Sequence, residues 1–121
     1  MTAVASILSI VLFLAFVTSG IQKVLFNPMA SQSAGHLGFS KSAFRKIGML
    51  EIAGGIGVLC GLTAKGTSFW AILNEVAAAG LVVTMVLAVY FHLQKGDAFK
   101  VWAPAAGLAV VALLELIFRL A

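Results

Sequence analysis

Apolar residues in this chain fall into four continuous blocks, at 3–26, 43–62, 67–93 and 101–120, with the polar residues collected between them. Each block is long enough to cross a hydrocarbon layer, because about 20 mostly apolar helical residues span its thickness of about 30 Å. The blocks are rich in Ala, Leu and Gly and do not alternate, so the two-residue period of membrane strands is missing. A helix also satisfies its own backbone hydrogen bonds in lipid. The pattern predicts an all-α integral membrane protein: one domain over residues 1–121, folded as a single antiparallel bundle of four transmembrane helices.

The polar punctuation sets the connections. Asn27-Pro28 predicts the end of the first helix, since Pro cannot continue the hydrogen-bond ladder. Residues 29–42, MASQSAGHLGFSKS, then read as the longest loop, lying along the membrane surface, with Ser42 as N-cap of the second helix. A turn at Thr63–Gly66 leads to Thr67 or Ser68 as cap of the third helix. The turn QKGD at 94–97 places Asp97 as cap of the fourth, and Pro104 falls in that helix's first turns. Connections this short make the second and third, and the third and fourth, helices antiparallel neighbours.

Composition sharpens the class. Of 121 residues, 62% are hydrophobic and 10% charged, where a soluble domain has about a quarter charged. The net charge of +4 is therefore read as topology, not as nucleic-acid binding. Lys23, Lys41, Arg45, Lys46, Lys95 and Lys100 stand on one side, against Lys65 and Arg119 on the other. Six against two places the 1–2 and 3–4 loops in the cytoplasm and both termini outside. No basic residue precedes Lys23, so the first block lacks the leader of a cleaved signal peptide and is expected in the mature protein. The single cysteine, Cys60, reads as a small buried hydrophobe and has no partner for dithiol exchange.

Small residues indicate close helix approach, which lipid does not drive by hydrophobic force. Gly54, Gly55, Gly57 and Gly61 in the second helix and Gly80 in the third are the expected packing positions. Acidic residues carry the chemistry. Glu51, Glu75 and Glu115 each lie inside an apolar block, where a charge is costly unless it faces a partner or holds a proton. Glu51 and Glu75 enter their helices from opposite ends to similar depths, about 12 Å at about 1.5 Å per residue. Lys23 and Gln22 lie toward the same end as Glu51, Asn74 precedes Glu75, and His92 is near the end of the third helix. The expected site is a polar seam inside the bundle made of Glu51, Glu75, Asn74, Lys23, Gln22 and His92, binding a ligand or a proton, contacting a partner subunit or simply fixing the packing. Glu115 stands four residues before Arg119, the spacing of a helical ion pair, and reads as an interfacial pair. His36 reads as solvated, and Trp70 and Trp102 as aromatic-belt residues, with Tyr90 open to either a belt or a ligand role. No haem-spaced His pair, Cys cluster, phosphate loop or Ser-His-Asp constellation is present, so neither a catalytic residue nor a metal site is expected.

The runs FVTSGIQKVLFNP, RKIGMLEIAGGIGVLCG and AVYFHLQKGDAFKVWAPAAGLAV resemble the DoxX-like family of small bacterial membrane proteins. Gly20, Lys23, Arg45, Gly48, Glu51, Gly54, Gly55 and Gly61 carry the likeness, supported by Gly96, Asp97 and Pro104. The resemblance implies four transmembrane helices in a bacterial plasma membrane. Its relatives include membrane subunits of thiosulfate:quinone oxidoreductases, proteins of thiol-redox complexes and an animal receptor-assembly chaperone. It implies a role in binding a quinone or another lipophilic molecule, or in anchoring a membrane oxidoreductase partner; a homo-oligomer is the other assembly. Two further functions compete. Four helices and a membrane Glu also describe small proton-coupled exporters, although those carry the Glu in the first helix, where this chain has Lys23 and no acid. A structural or assembly protein without a ligand is the third.

Overall fold

The computed structural model describes residues 2–64 and 67–120; Lys65 and Gly66, expected as a topology marker and part of a turn, lie outside the described residues. The protein is all-α, with five helices in chain order: α1 (Thr2–Leu25), α2 (Pro28–Leu37), α3 (Lys41–Cys60), α4 (Phe69–Gln94) and α5 (Phe99–Leu120). α1, α4 and α5 are long and apolar enough to cross a membrane by length and composition. The blocks predict four such spans. α3 is the exception, because Lys41, Arg45, Lys46 and Glu51 interrupt its apolar run.

The unforeseen element is α2, within the stretch expected to be a loop. Asn27-Pro28 is a start as well as a stop. Asn27 is the N-cap, its side chain accepting from the Ala30 N–H at 2.8 Å, and Pro28 occupies a first-turn position where its missing N–H costs nothing. Gly38, at φ 84°, ends the helix: its N–H donates to the Gly35 carbonyl, and the Phe39 N–H reaches back to that of Ala34. This Schellman closure satisfies two of the last carbonyls and needs the left-handed conformation that glycine adopts freely. Ala30 and Ala34 pack with Phe44, flanked by Phe26, Phe39 and Ile47, in a small cluster of their own.

One cap differs in place: Ser40, not Ser42, caps α3 through Ala43 N–H, while Ser68, one of the two expected caps, caps α4 through Ala71 N–H. Asp97 does not take up a cap; both of its oxygens are engaged elsewhere, as described below.

α1 packs on α3 and α5, and α4 packs on α3 and α5, so the four long helices close a ring around a core of Leu12, Phe16, Val58, Ala78, Leu81, Met85 and Ala112. α1 and α3 approach each other backbone to backbone. A methyl group built on Gly20 would lie 2.5 Å from the Gly48 carbonyl oxygen, and one on Gly48 would lie 2.7 Å from the Gly20 carbonyl oxygen. Gly55 also faces α1, at Val17 and Phe13, while Gly54 meets Leu81, Gly57 meets Ala77 and Gly61 meets Trp70 and Asn74 on α4. A methyl group built on Gly80 would meet nothing within 4 Å, which corrects its expected packing role; it sits on an exposed face of α4. Cys60 is likewise exposed and not part of the core.

This geometry gives a direct expectation. Gly48→Ala forces backbone against backbone and is expected to lower stability by about 1–3 kcal/mol, the range for overpacked sites. Gly107→Ala, in α5 with open space around it, is expected to be neutral or to stabilise by up to about 1 kcal/mol by relieving the helix cost of glycine. Unfolding of both variants in detergent micelles checks the contrast.

Candidate functional site

Buried polar groups collect at the two ends of the ring, not in one seam. At one end, the C-terminal part of α1, the N-terminal parts of α3 and α5 and the C-terminal part of α4 surround a cleft of about 440 Å³. Its walls are mostly apolar: Phe39, Phe44, Ile47, Leu50, Met85, Phe91 and Leu108 are among them. α2 closes one side through Met29, Ala30, Ser33 and Leu37. Polar side chains enter from four helices: Ser19, Gln22 and Lys23 from α1, Ser33 from α2, Glu51 from α3, and Thr84 and His92 from α4.

Glu51 is the least exposed of these, at 1%. The Lys23 ammonium lies 2.7 Å from its Oε1. The same ammonium donates to the Ser19 hydroxyl at 2.7 Å and sits 5.5 Å from the centre of the Phe44 ring. The ion-pair contact is not aligned as a hydrogen bond, and neither Oε1 nor Oε2 of Glu51 has a hydrogen-bond partner. A buried carboxylate ordinarily accepts several. Unmet acceptor capacity therefore borders an apolar cleft.

At the cleft's outer edge, the carboxylate of Asp97 joins two imidazoles. Its Oδ1 lies 2.7 Å from His36 Nε2 on α2, and its Oδ2 lies 2.7 Å from His92 Nδ1 on α4. The hydrogen bond from His92 holds the Asp97 carboxyl below its ordinary pKa; desolvation opposes this, and the His36 hydrogen bond and the charge of both imidazoles add to it. An ionised carboxylate only accepts, so His36 carries a proton on Nε2 and His92 on Nδ1. His36, exposed as expected, also ties α2 to the α4–α5 turn. A group with a depressed folded-state pKa contributes stability above its unfolded value, near 3.9, and loses it as pH falls through the folded value. Lowering the pH from about 7 to below about 4 is thus expected to lower the hydrogen-exchange protection factors of α2 selectively, after correction for the intrinsic pH dependence of exchange, and Asp97→Asn is expected to show the lower protection already at neutral pH.

The other end of the ring is closed by a network that includes one of the expected seam residues. Glu115 is fully buried, and its Oε1 accepts from the Ser9 hydroxyl at 2.8 Å and from Arg119 Nε at 3.3 Å. One terminal nitrogen of Arg119 donates to the carbonyls of Leu62 and Ala64, just past the end of α3, and the other donates to Ser9. Asn74 Nδ2 donates to the Val58 carbonyl at 2.7 Å and approaches the Ser9 hydroxyl at 3.5 Å. Ser9 thus joins α1, α4 and α5 at a single oxygen, and Arg119 ties in α3.

The expected residues therefore divide. Lys23, Gln22, Glu51 and His92 border the cleft, with Gln22 largely exposed. Asn74 belongs to the opposite network. Glu75 is partly buried and makes no hydrogen bond or ion pair among the described residues. Tyr90 is exposed and Trp70 and Trp102 pack edge-to-face on Phe69 and Phe99 at the starts of α4 and α5. Sequence reasoning missed Ser9, whose hydroxyl sits unremarkably within an apolar block, and Asp97 as a bridge. It also placed the Glu115–Arg119 pair at the interface, whereas both side chains are buried. The signal available for Asp97 was its five-residue separation from His92 across a tight turn.

Comparison with known proteins gives one match. No curated protein and no solved structure was found to match the chain. The family model described as the DoxX-like family matches residues 7–114, from the first turns of α1 to the residue before Glu115. That span takes in the whole cleft, Lys23, Glu51, His92 and Asp97 included. The chain belongs to the DoxX-like family.

Proposed function

We propose that this DoxX-like membrane protein binds a lipophilic molecule with a polar head, of the quinone class, in the cleft beside Glu51 and Lys23. The observation that carries the reading is the buried Glu51 carboxylate, bordering an apolar cleft with no hydrogen bond to either oxygen. Pockets of about 300–1,000 Å³ with apolar walls and a few convergent polar groups are the usual form of a small-molecule site, and a cleft of about 440 Å³ fits a head group.

The residue chemistry supports the class. Quinone carbonyls accept hydrogen bonds, and Lys23 and Ser19 hold donors at the cleft. Quinol hydroxyls donate, and the two oxygens of Glu51 offer acceptors. When bound, a quinone would supply two-electron redox chemistry to a partner protein that holds the electron donor. The chain's own residues would bind and orient the head group and keep it from bulk water.

This reading places α3 as a fourth span. Its 20 residues match the thickness of the hydrocarbon layer, Glu51 is compensated by Lys23, and Lys41, Arg45 and Lys46 lie at the end that meets the headgroups. The bundle then has both termini outside and the α3 start and α4–α5 turn in the cytoplasm of a bacterial cell. Anchoring a membrane oxidoreductase follows as its cellular role.

The test is recovery from membranes in mild detergent followed by extraction of bound small molecules. Co-purification of quinone, diminished in Glu51→Gln, supports the proposal. Repeated recovery with neither quinone nor a partner protein counts against it.

A further inference from the structure

Away from the cleft, at the start of α3, three cations share one shallow hollow. Lys41, Arg45 and Lys46 line it with Ser42, on a floor of Val24 from α1 and Met49 from α3; the space is about 500 Å³. None of the three cations is ion-paired among the described residues, and the first turn of α3 contains no acid. Lys41 is steadied by the Phe26 ring, 5.5 Å from its ammonium. The N–H groups of Lys41 and Ser42 are first-turn amides for which a helix has no acceptor of its own; Ser40 meets only that of Ala43. Toward the middle of the two helices, Ile21 on α1 and Met49 on α3 are exposed apolar side chains.

We infer that this hollow holds the phosphate of an anionic glycerophospholipid, with its acyl chains lying along the exposed faces of α1 and α3. Charge complementarity identifies the head: three cations with no ion-pair partner among the described residues share the hollow with a hydroxyl. The lipid source follows from the floor. A free phosphate has no use for Val24 and Met49, whereas an acyl chain begins on them and runs into the apolar surface beyond. Basic pockets at the ends of membrane helices are a recognised form of lipid headgroup site, and the depth of this one, at the last turn of α1 and the first of α3, matches the headgroup layer.

Native mass spectrometry of the full chain in detergent tests this, with phosphatidylglycerol, phosphatidylcholine or inorganic phosphate added. Phosphatidylglycerol is expected to be retained in preference to phosphatidylcholine. That preference should fall by roughly fivefold for each basic residue removed, through Arg45→Gln to the triple variant Lys41→Gln/Arg45→Gln/Lys46→Gln. Millimolar inorganic phosphate should leave the retained lipid in place. Equal retention of the two lipids by the unmodified chain, an unchanged preference in Arg45→Gln and the triple variant, or displacement by inorganic phosphate overturns the inference. Arg45→Gln alone decides the matter if the triple variant does not fold. These residues lie outside the quinone cleft, so loss of lipid preference with quinone retained, or the reverse, separates the two proposals.

Discussion

Glu115→Ala is expected to be the most damaging single substitution in the protein, lowering stability by about 3–5 kcal/mol, the cost of stranding one member of a buried ion pair. The carboxylate is fully buried and Arg119 nearly so. Removing it leaves the guanidinium with carbonyl acceptors and a hydroxyl but no countercharge. It also takes the acceptor of the Ser9 hydroxyl, the one oxygen at which α1, α4 and α5 meet. Arg119→Met should cost a similar amount, because it orphans Glu115 and releases the carbonyls of Leu62 and Ala64. The double variant Glu115→Ala/Arg119→Met should recover much of the loss, since removing both partners removes the uncompensated charge. Unfolding of the four proteins in detergent micelles, read as a double-mutant cycle, checks the coupling. Additive losses would mean that the pair is not the closure of this end of the ring.

Lys23→Met is expected to have the largest effect on ligand binding. Lys23 is, among the described residues, the one cation paired with Glu51 there, at 2.7 Å. A hydrogen bond to a charged group is worth about 1.5–3 kcal/mol, so affinity for a short-chain quinone should fall by about 10- to 100-fold. The substitution also strands a buried carboxylate, which is costly for the fold. The variant Lys23→Met/Glu51→Gln separates the two effects: stability should largely return while affinity does not. A titration in which Lys23→Met binds as tightly as the parent would remove Lys23 from the binding account.

Much of the architecture was legible in the amino-acid order because long apolar blocks admit few alternatives in lipid. α1, α3, α4 and α5 begin and end within two residues of the blocks that predict them. α2 was hidden by chemistry that reads both ways. Asn27-Pro28 ends one helix and opens the next, and the apolar content of PMASQSAGHL is too small to announce a helix without its two buried alanines. Spacing along one helix predicts Glu115–Arg119 but says nothing of depth. Depth came from Ser9, a residue 106 positions away whose hydroxyl has no periodicity to reveal it. Glu51 and Lys23 were recognisable as expensive charges at matching depth. Asn74 was equally recognisable as polar in an apolar block, but its end of α4 faces the Ser9 network, so a seam inferred from depth alone joined two separate places.

The central claim is that the cleft beside Glu51 and Lys23 is a binding site for a quinone-like molecule, and photoaffinity labelling tests it most directly. The full chain, reconstituted in vesicles, is irradiated with an azido-quinone and the labelled residues are mapped by mass spectrometry. The account predicts adducts confined to the cleft walls, around Ile47–Glu51 on α3, Met85–Phe91 on α4 and Pro104–Leu108 on α5, suppressed by excess unlabelled quinone and lost in Lys23→Met/Glu51→Gln. Labelling spread along the lipid-facing surfaces, unaffected by competitor, would contradict it.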